Sequence, residues 1–161
     1  MRLKTKITIA AVSAAAITVA GVVVVVRVHR RRHRRKEASS FLSADVRDAL
    51  QGLCSLQGED FVPDGLGSSL YQRRLESLTD KQLIGVYVVI KVAEALRARG
   101  VDVRQISKED LLNEVGLLHN VTHNKSDRRE LLRRLGLLGA ETAKGVLDDG
   151  LLLTGIAAQS S

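Results

Sequence analysis

Residues 80–99 read DKQLIGVYVVIKVAEALRAR, and whether they form a strand or a helix decides the fold. The inner run VYVVIKV, residues 86–92, is rich in β-branched and aromatic side chains and taken alone suits a buried strand. Its flanks reverse that reading. Thr79 stands three residues ahead of Gln82, the spacing of a capping box in which each side chain satisfies an amide that the first helical turn leaves open. The run continues as AEALRAR, a set of strong helix formers, and Gly100 falls where a left-handed residue closes a helix. From Leu83 to Val92 such a helix is apolar on nearly every side, Lys91 excepted. It therefore belongs at the centre of a bundle.

Working outward, the composition agrees with an all-α fold built around this helix. The chain has 161 residues and is 45% hydrophobic but only 2% aromatic, so its core is expected to be mainly Leu, Val, Ile and Ala. Upstream, Ser43 is placed to cap a helix running through about Leu56, with Phe41 or Leu42 as a hydrophobic staple and Gly58 near the stop. The loop GEDFVPDGLG follows, holding the only proline, Pro63. Ser68 or Ser69 then starts a short helix that turns Tyr71, Leu75 and Leu78 inward.

Downstream, LLNEVGLL (111–118) and LLRRLGLL (131–138) repeat the pattern of two leucines, a branched apolar residue, Gly and two more leucines. Each reads as a short amphipathic helix, capped by Ser107 or Ser126 and closed at its Gly, with a Leu packing back. The last stretch, GVLDDGLLLTGIAAQSS, is expected to add a short apolar helix or strand, with Asp148 and Asp149 in a turn and Gln159–Ser161 frayed.

A different solvent is written into the N-terminal quarter. ITIAAVSAAAITVAGVVVVV, Ile7 to Val26, is uncharged throughout. At about 1.5 Å rise per residue a helix of that length spans roughly 30 Å, the thickness of a bilayer's hydrocarbon core. Valine is a weak helix former in water, but in lipid an unpaired backbone amide costs several kcal/mol, so the helix prevails. A cleavable signal peptide is the competing reading, with MRLKTK as the basic region and Thr18-Val19-Ala20 as the cut site. That cut would leave five valines at the new N-terminus, and the apolar stretch exceeds the usual length of a secretory core.

The flanks orient this span. Arg2, Lys4 and Lys6 precede it, whereas Arg27, Arg30, Arg31, Arg32, Arg34, Arg35 and Lys36 follow it. The heavier positive flank stays inside, which puts the C-terminal domain in the cytoplasm. These seven residues are the expected lipid-contacting and topology-setting group, each contributing about 1 kcal/mol at an anionic surface. His29 and His33 lie among them. The organisation expected is a flank (1–6), a transmembrane helix (7–28), a basic juxtamembrane linker (29–42) and a helical cytosolic domain (43–161). A bacterial plasma membrane is the favoured location, and a mitochondrial outer membrane is the alternative.

The net charge of +7 divides unevenly along the chain. Ten Lys and Arg and no acid occupy residues 1–36, and the remainder holds fifteen basic against eighteen acidic residues, about −3. A mildly acidic domain is a poor partner for nucleic acid. Membrane lipids and a protein are the expected partners. Cys54, the only cysteine, reads as a small buried hydrophobe.

The search for chemistry returns little. His119 and His123 have the i, i+4 spacing of a helical metal pair, with Asp110 and Glu114 upstream. HNVTHN nevertheless lacks the Glu of the metalloprotease motif, and Gly116 with Asn120 suggests a loop. No metal or other cofactor is expected. Gly65-Leu66-Gly67-Ser68-Ser69 lacks the third glycine of a dinucleotide fingerprint and the Lys of a P-loop, and reads as a turn and cap. With no nucleophile elbow and no Cys/His pair, the sequence points to no enzyme and no small-molecule substrate. Asn120-Val121-Thr122 and Asn124-Lys125-Ser126 are glycosylation sequons, of use only as reporters of orientation. The functional expectation is a single-pass, membrane-anchored helical interaction or adaptor module facing the cytosol. Its alternative is a membrane-associated regulator that binds anionic lipid or nucleic acid through the Arg-rich segment.

Overall fold

The computed structural model describes residues 29, 30, 32, 33, 36, 38–122, 127–138 and 140–159, without the side chains of 119–122 and 140–142. The chain is all-helical, and no strand occurs among the described residues. From Ala44 onward, six α-helices follow in order among the described residues: α1 (Ala44–Cys54), α2 (Leu70–Ser77), α3 (Asp80–Ala98), α4 (Lys108–Thr122), α5 (Arg128–Gly136) and α6 (Ala140–Ala158). Two 3-10 turns, Gly58–Phe61 and Val103–Gln105, sit in the connections after α1 and α3. Two compact units are separated at Arg34, and the bundle belongs to the second, Arg35–Ser161.

The deciding stretch is a helix, held at both ends as its sequence demands. Thr79 Oγ1 accepts the Gln82 amide at 3.2 Å, and Gln82 Oε1 accepts the Thr79 amide at 3.0 Å. At the other end Gly100 adopts φ +69°, and the amides of Gly100 and Val101 donate back to the carbonyls of Arg97 and Leu96 at 2.9 and 3.0 Å. Only glycine takes that left-handed turn without a Cβ penalty. Between these caps, residues from Leu83 to Leu96 are buried on almost all sides, and α3 packs against α1, α4, α5 and α6.

At Gly85 α3 comes close against α1. A Cβ on Gly85 would collide with Val46 Cγ2 and would lie 3.1 Å from Cγ1 and 3.2 Å from the Phe41 carbonyl. The absent side chain is what lets the two helices meet there. Helix α6 runs antiparallel to α3, since Gly145 lies under the Arg97 guanidinium and Gly150 against Val89. Helices α2 and α5 form an antiparallel pair tied by Tyr71, whose buried hydroxyl donates to the Leu135 carbonyl at 3.0 Å. Arg128 closes the other end of that pair, donating to the carbonyls of Glu76 and Leu78 at 2.8 Å and pairing with Asp80 at 2.6 Å.

Several local expectations are revised. Ser43 occupies the N-cap position of α1, but its side chain bonds no helix amide, and its hydroxyl is buried without a partner among the described residues. Ahead of it, Ala38 and Leu42 are core residues at 0% and 8% exposure and Phe41 packs against them, so helical residues 38–41 belong to the bundle. Gly116 does not end α4, which continues to Thr122. A single helix glycine costs only about 1 kcal/mol, which flanking packing by Val115 and Leu118 offsets. In α5 the stop does fall at Gly136, and the cap is Asp127, whose carboxylate accepts the Arg129 amide. Ser107 caps α4 as read, accepting the Asp110 amide at 3.1 Å.

The largest revision is the C-terminal segment. It forms no short appendage but a helix of 19 residues, as long as α3. Asp148 and Asp149 lie within it rather than in a turn.

Candidate functional site

Helix α6 packs across α1 and α3 through Ala143, Val146, Leu147, Gly150, Leu153 and Thr154, all buried. These positions recur at intervals of three and four, the period of one helical face. Gly150 brings that face close: a Cβ there would lie 3.1 Å from Val89 and 3.7 Å from Leu50. Thr154 satisfies its own hydroxyl by donating to the Leu151 carbonyl at 2.7 Å, so a polar residue enters the core without an orphan group.

The opposite rim of α6 is left open. Leu151, Leu152, Gly155 and Ile156 floor a groove of about 650 Å³, with Asp148 and Gln159 along α6 and Arg47 reaching in from α1. Leu152 is 43% exposed, and a Cβ on Gly155 would meet no atom within 4 Å. The helices run antiparallel here: Cys54 lies beside Asp148 and Leu50 beside Gly150, which brings Arg47 past Leu152, to the level of residues 153–155. The groove thus has an apolar floor with a cation at one end and an anion at the other.

Its electrostatics separate two adjacent acids. Asp149 turns toward α3 and pairs with Arg97. Asp148 stays at the groove, and Arg47 makes no ion pair among the described residues. The Cys54 thiol bonds Asp148, and burial first and the carboxylate second push its pKa up to about 12. A thiol in those surroundings is no nucleophile.

A second, smaller hollow of about 290 Å³ lies between α2 and α5, lined by Gln72, Leu75, Glu76, Arg129, Leu132 and Arg133. Next to it Glu130 holds Arg133 and Arg134, whose hydrogen bonds keep its carboxyl down at about 2. Arg134 also donates to the Tyr87 hydroxyl at 2.8 Å. At less than half the volume, this hollow offers less room to a ligand than the α1–α6 groove.

The residues singled out from sequence are scattered. Arg30, Arg32 and Lys36 are helical and exposed, as are His29 and His33. Arg27, Arg31, Arg34 and Arg35 lie outside the described residues, and so does Ile7–Val26. Among the described residues no helix is long and apolar enough to cross a membrane. His119 falls in α4, but its side chain and the whole of His123 lie outside the described residues. The turn-and-cap reading of residues 65–69 is met in detail. Gly65 has φ +55°, the Gly67 amide donates to the Asp64 carbonyl at 2.8 Å, and Ser69 Oγ accepts the Gln72 amide at 3.1 Å.

The sequence reading missed the groove because it placed Asp148 and Asp149 in a turn and took the segment for a short helix or strand. The signal was present nonetheless: once Gly150 and Thr154 are counted with the apolar residues, the spacing 143, 146, 147, 150, 153, 154 describes one buried face. Comparison of the chain with protein-family models, with curated proteins and with solved structures returns no match in any of the three.

Proposed function

We propose that the chain is a single-pass, membrane-anchored helical interaction module whose C-terminal domain faces the cytosol and docks a protein in the α1–α6 groove. The groove carries the reading: Leu152 stands exposed on its floor beside Ile156, next to Arg47, which makes no ion pair among the described residues. Open apolar strips on helices suit amphipathic helical partners. Support for the anchor comes from the twenty uncharged residues Ile7–Val26 and the seven basic residues that follow, Arg27, Arg30, Arg31, Arg32, Arg34, Arg35 and Lys36.

Anchor and groove are linked by reach. Eleven residues lie between Val26 and Ala38, the first core residue among those described. They span about 18 Å as a helix and at most roughly 40 Å extended. A partner that is itself membrane-associated lies within that reach. Affinity capture of the intact chain in mild detergent tests this: a membrane protein recovered by the wild type and lost with Leu152→Arg supports the reading, and equal recovery with both refutes it.

Exposure of Arg30, Arg32 and Lys36 favours a second reading, a regulator held on anionic lipid by its basic segment. Steep loss of vesicle binding with salt would distinguish it, because contacts of this kind are screened within about 10 Å at 0.1 M salt.

A further inference from the structure

We infer that the occupant of the α1–α6 groove is the same groove of a second copy of this chain, packed about a two-fold axis near Leu151 and Leu152. The inference rests on the docking reading above and names its partner. The observation behind it is the order of groups along the groove. Asp148 stands one turn before Leu151 and Leu152, and Arg47, at the level of residues 153–155, stands past them. A two-fold rotation about the midpoint exchanges residue 148 with 155 or 156. It therefore sets Arg47 of each copy over Asp148 of the other, which is the self-complementary pairing an isologous interface requires.

The apolar residues obey the same operation. Leu151 and Leu152 meet their own copies at the axis, and Ile156 lies over the space beside the other copy's Asp148. Gly155, whose Cβ position is open, lets the α6 backbones approach closely. Positions 148, 152, 155 and 159 follow spacings of four, three and four, the repeat that keeps a seam between two crossing helices. A partner of unrelated sequence has no reason to match a strip whose charges are already arranged for self-pairing.

The strip from Asp148 to Gln159 is only about 16 Å long, short of the roughly 800 Å² per partner typical of stable soluble interfaces. Anchoring both copies in one bilayer raises their local concentration, so a weak contact is populated there.

The test uses the full-length chain in vesicles with Cys54→Ala to remove the native thiol. Leu152→Cys, treated with a mild oxidant, is expected to give a disulfide-linked dimer at least about tenfold faster than Leu117→Cys, a more exposed position on α4. In the otherwise unaltered chain, Arg47→Glu or Asp148→Arg alone is expected to shift single-molecule photobleaching from two steps to one, and the two together to restore two. Equal cross-linking at both positions, with no response to the charge changes, overturns the inference. A one-step chain in which Leu152→Arg still abolishes capture of a different membrane protein leaves the docking reading standing and removes the second copy. If Leu152→Arg alters neither measurement, both readings fail.

Discussion

Gly85→Ala ought to stabilise a helix and is predicted here to destabilise this one. By intrinsic propensity, Ala in place of Gly inside α3 gains about 1 kcal/mol. Against that, the added methyl collides with Val46 Cγ2, lies 3.1 Å from Cγ1, and sits 3.2 Å from the Phe41 carbonyl, which as backbone cannot rotate aside. Overpacking of a dense core costs about 1–3 kcal/mol, and a backbone contact belongs at the upper end. The net expectation is a loss of about 2 kcal/mol, or roughly 8 °C in Tm for a domain of this size. Urea unfolding of the full chain in mild detergent, followed by far-UV circular dichroism, measures it. Val46→Ala supplies the internal control, because it removes both γ carbons: its cost should be smaller by about 1–2 kcal/mol in the Gly85→Ala background than alone. Gly155→Ala, with no atom within 4 Å of its Cβ position, should gain up to about 1 kcal/mol. A Gly85→Ala chain as stable as Gly155→Ala would refute the packing argument at the α1–α3 crossing.

Other perturbations follow from the same contacts. Tyr71→Phe removes the hydroxyl that donates to the Leu135 carbonyl inside the core, and a loss of about 1–2 kcal/mol is expected in the same unfolding assay. Because the folded Cys54 thiol titrates near 12 and an unperturbed one near 9.0, the folded chain binds more protons between those values. Its contribution to stability is complete below pH 9 and declines as pH rises toward about 12, so the wild type should lose more stability than Cys54→Ala between pH 8 and 10.5. The same burial predicts slow alkylation of Cys54 at pH 8 and fast alkylation in urea, measured by mass shift. Glu130 is held at about 2 by Arg133 and Arg134, so its stabilising contribution is present above its ordinary value of 4.5 and fades only as pH falls toward about 2. Glu130→Gln should remove that acid-range dependence from the unfolding curve.

Much of the fold was legible because its local and long-range signals agree. The Thr79–Gln82 box, the apolar run from Leu83 and the turn at Gly100 all specify one helix, and Ser69, Ser107 and the Gly65 turn behave as their chemistry requires. Where the reading failed, tertiary packing outweighed a local rule. Glycine within a helix usually marks an end, yet Gly85, Gly145 and Gly150 are places where another element's side chain occupies the missing methyl's position. Gly116 shows the weaker form of the same effect, a breaker tolerated inside a helix whose neighbours are well packed. The groove was hidden for this reason, since no single residue announces it and its lining depends on α6 crossing α1. The anchor and the basic residues were read from a signal of another kind, hydropathy and charge, which acts through lipid rather than through contacts within the chain.

The most direct measurement of the central claim is alkaline carbonate extraction of membranes from cells expressing the full-length chain, with the intact mass of the product determined. The account predicts a protein starting at Met1 that stays in the membrane pellet and is released only by detergent. Recovery of that same intact product in the aqueous supernatant would contradict it.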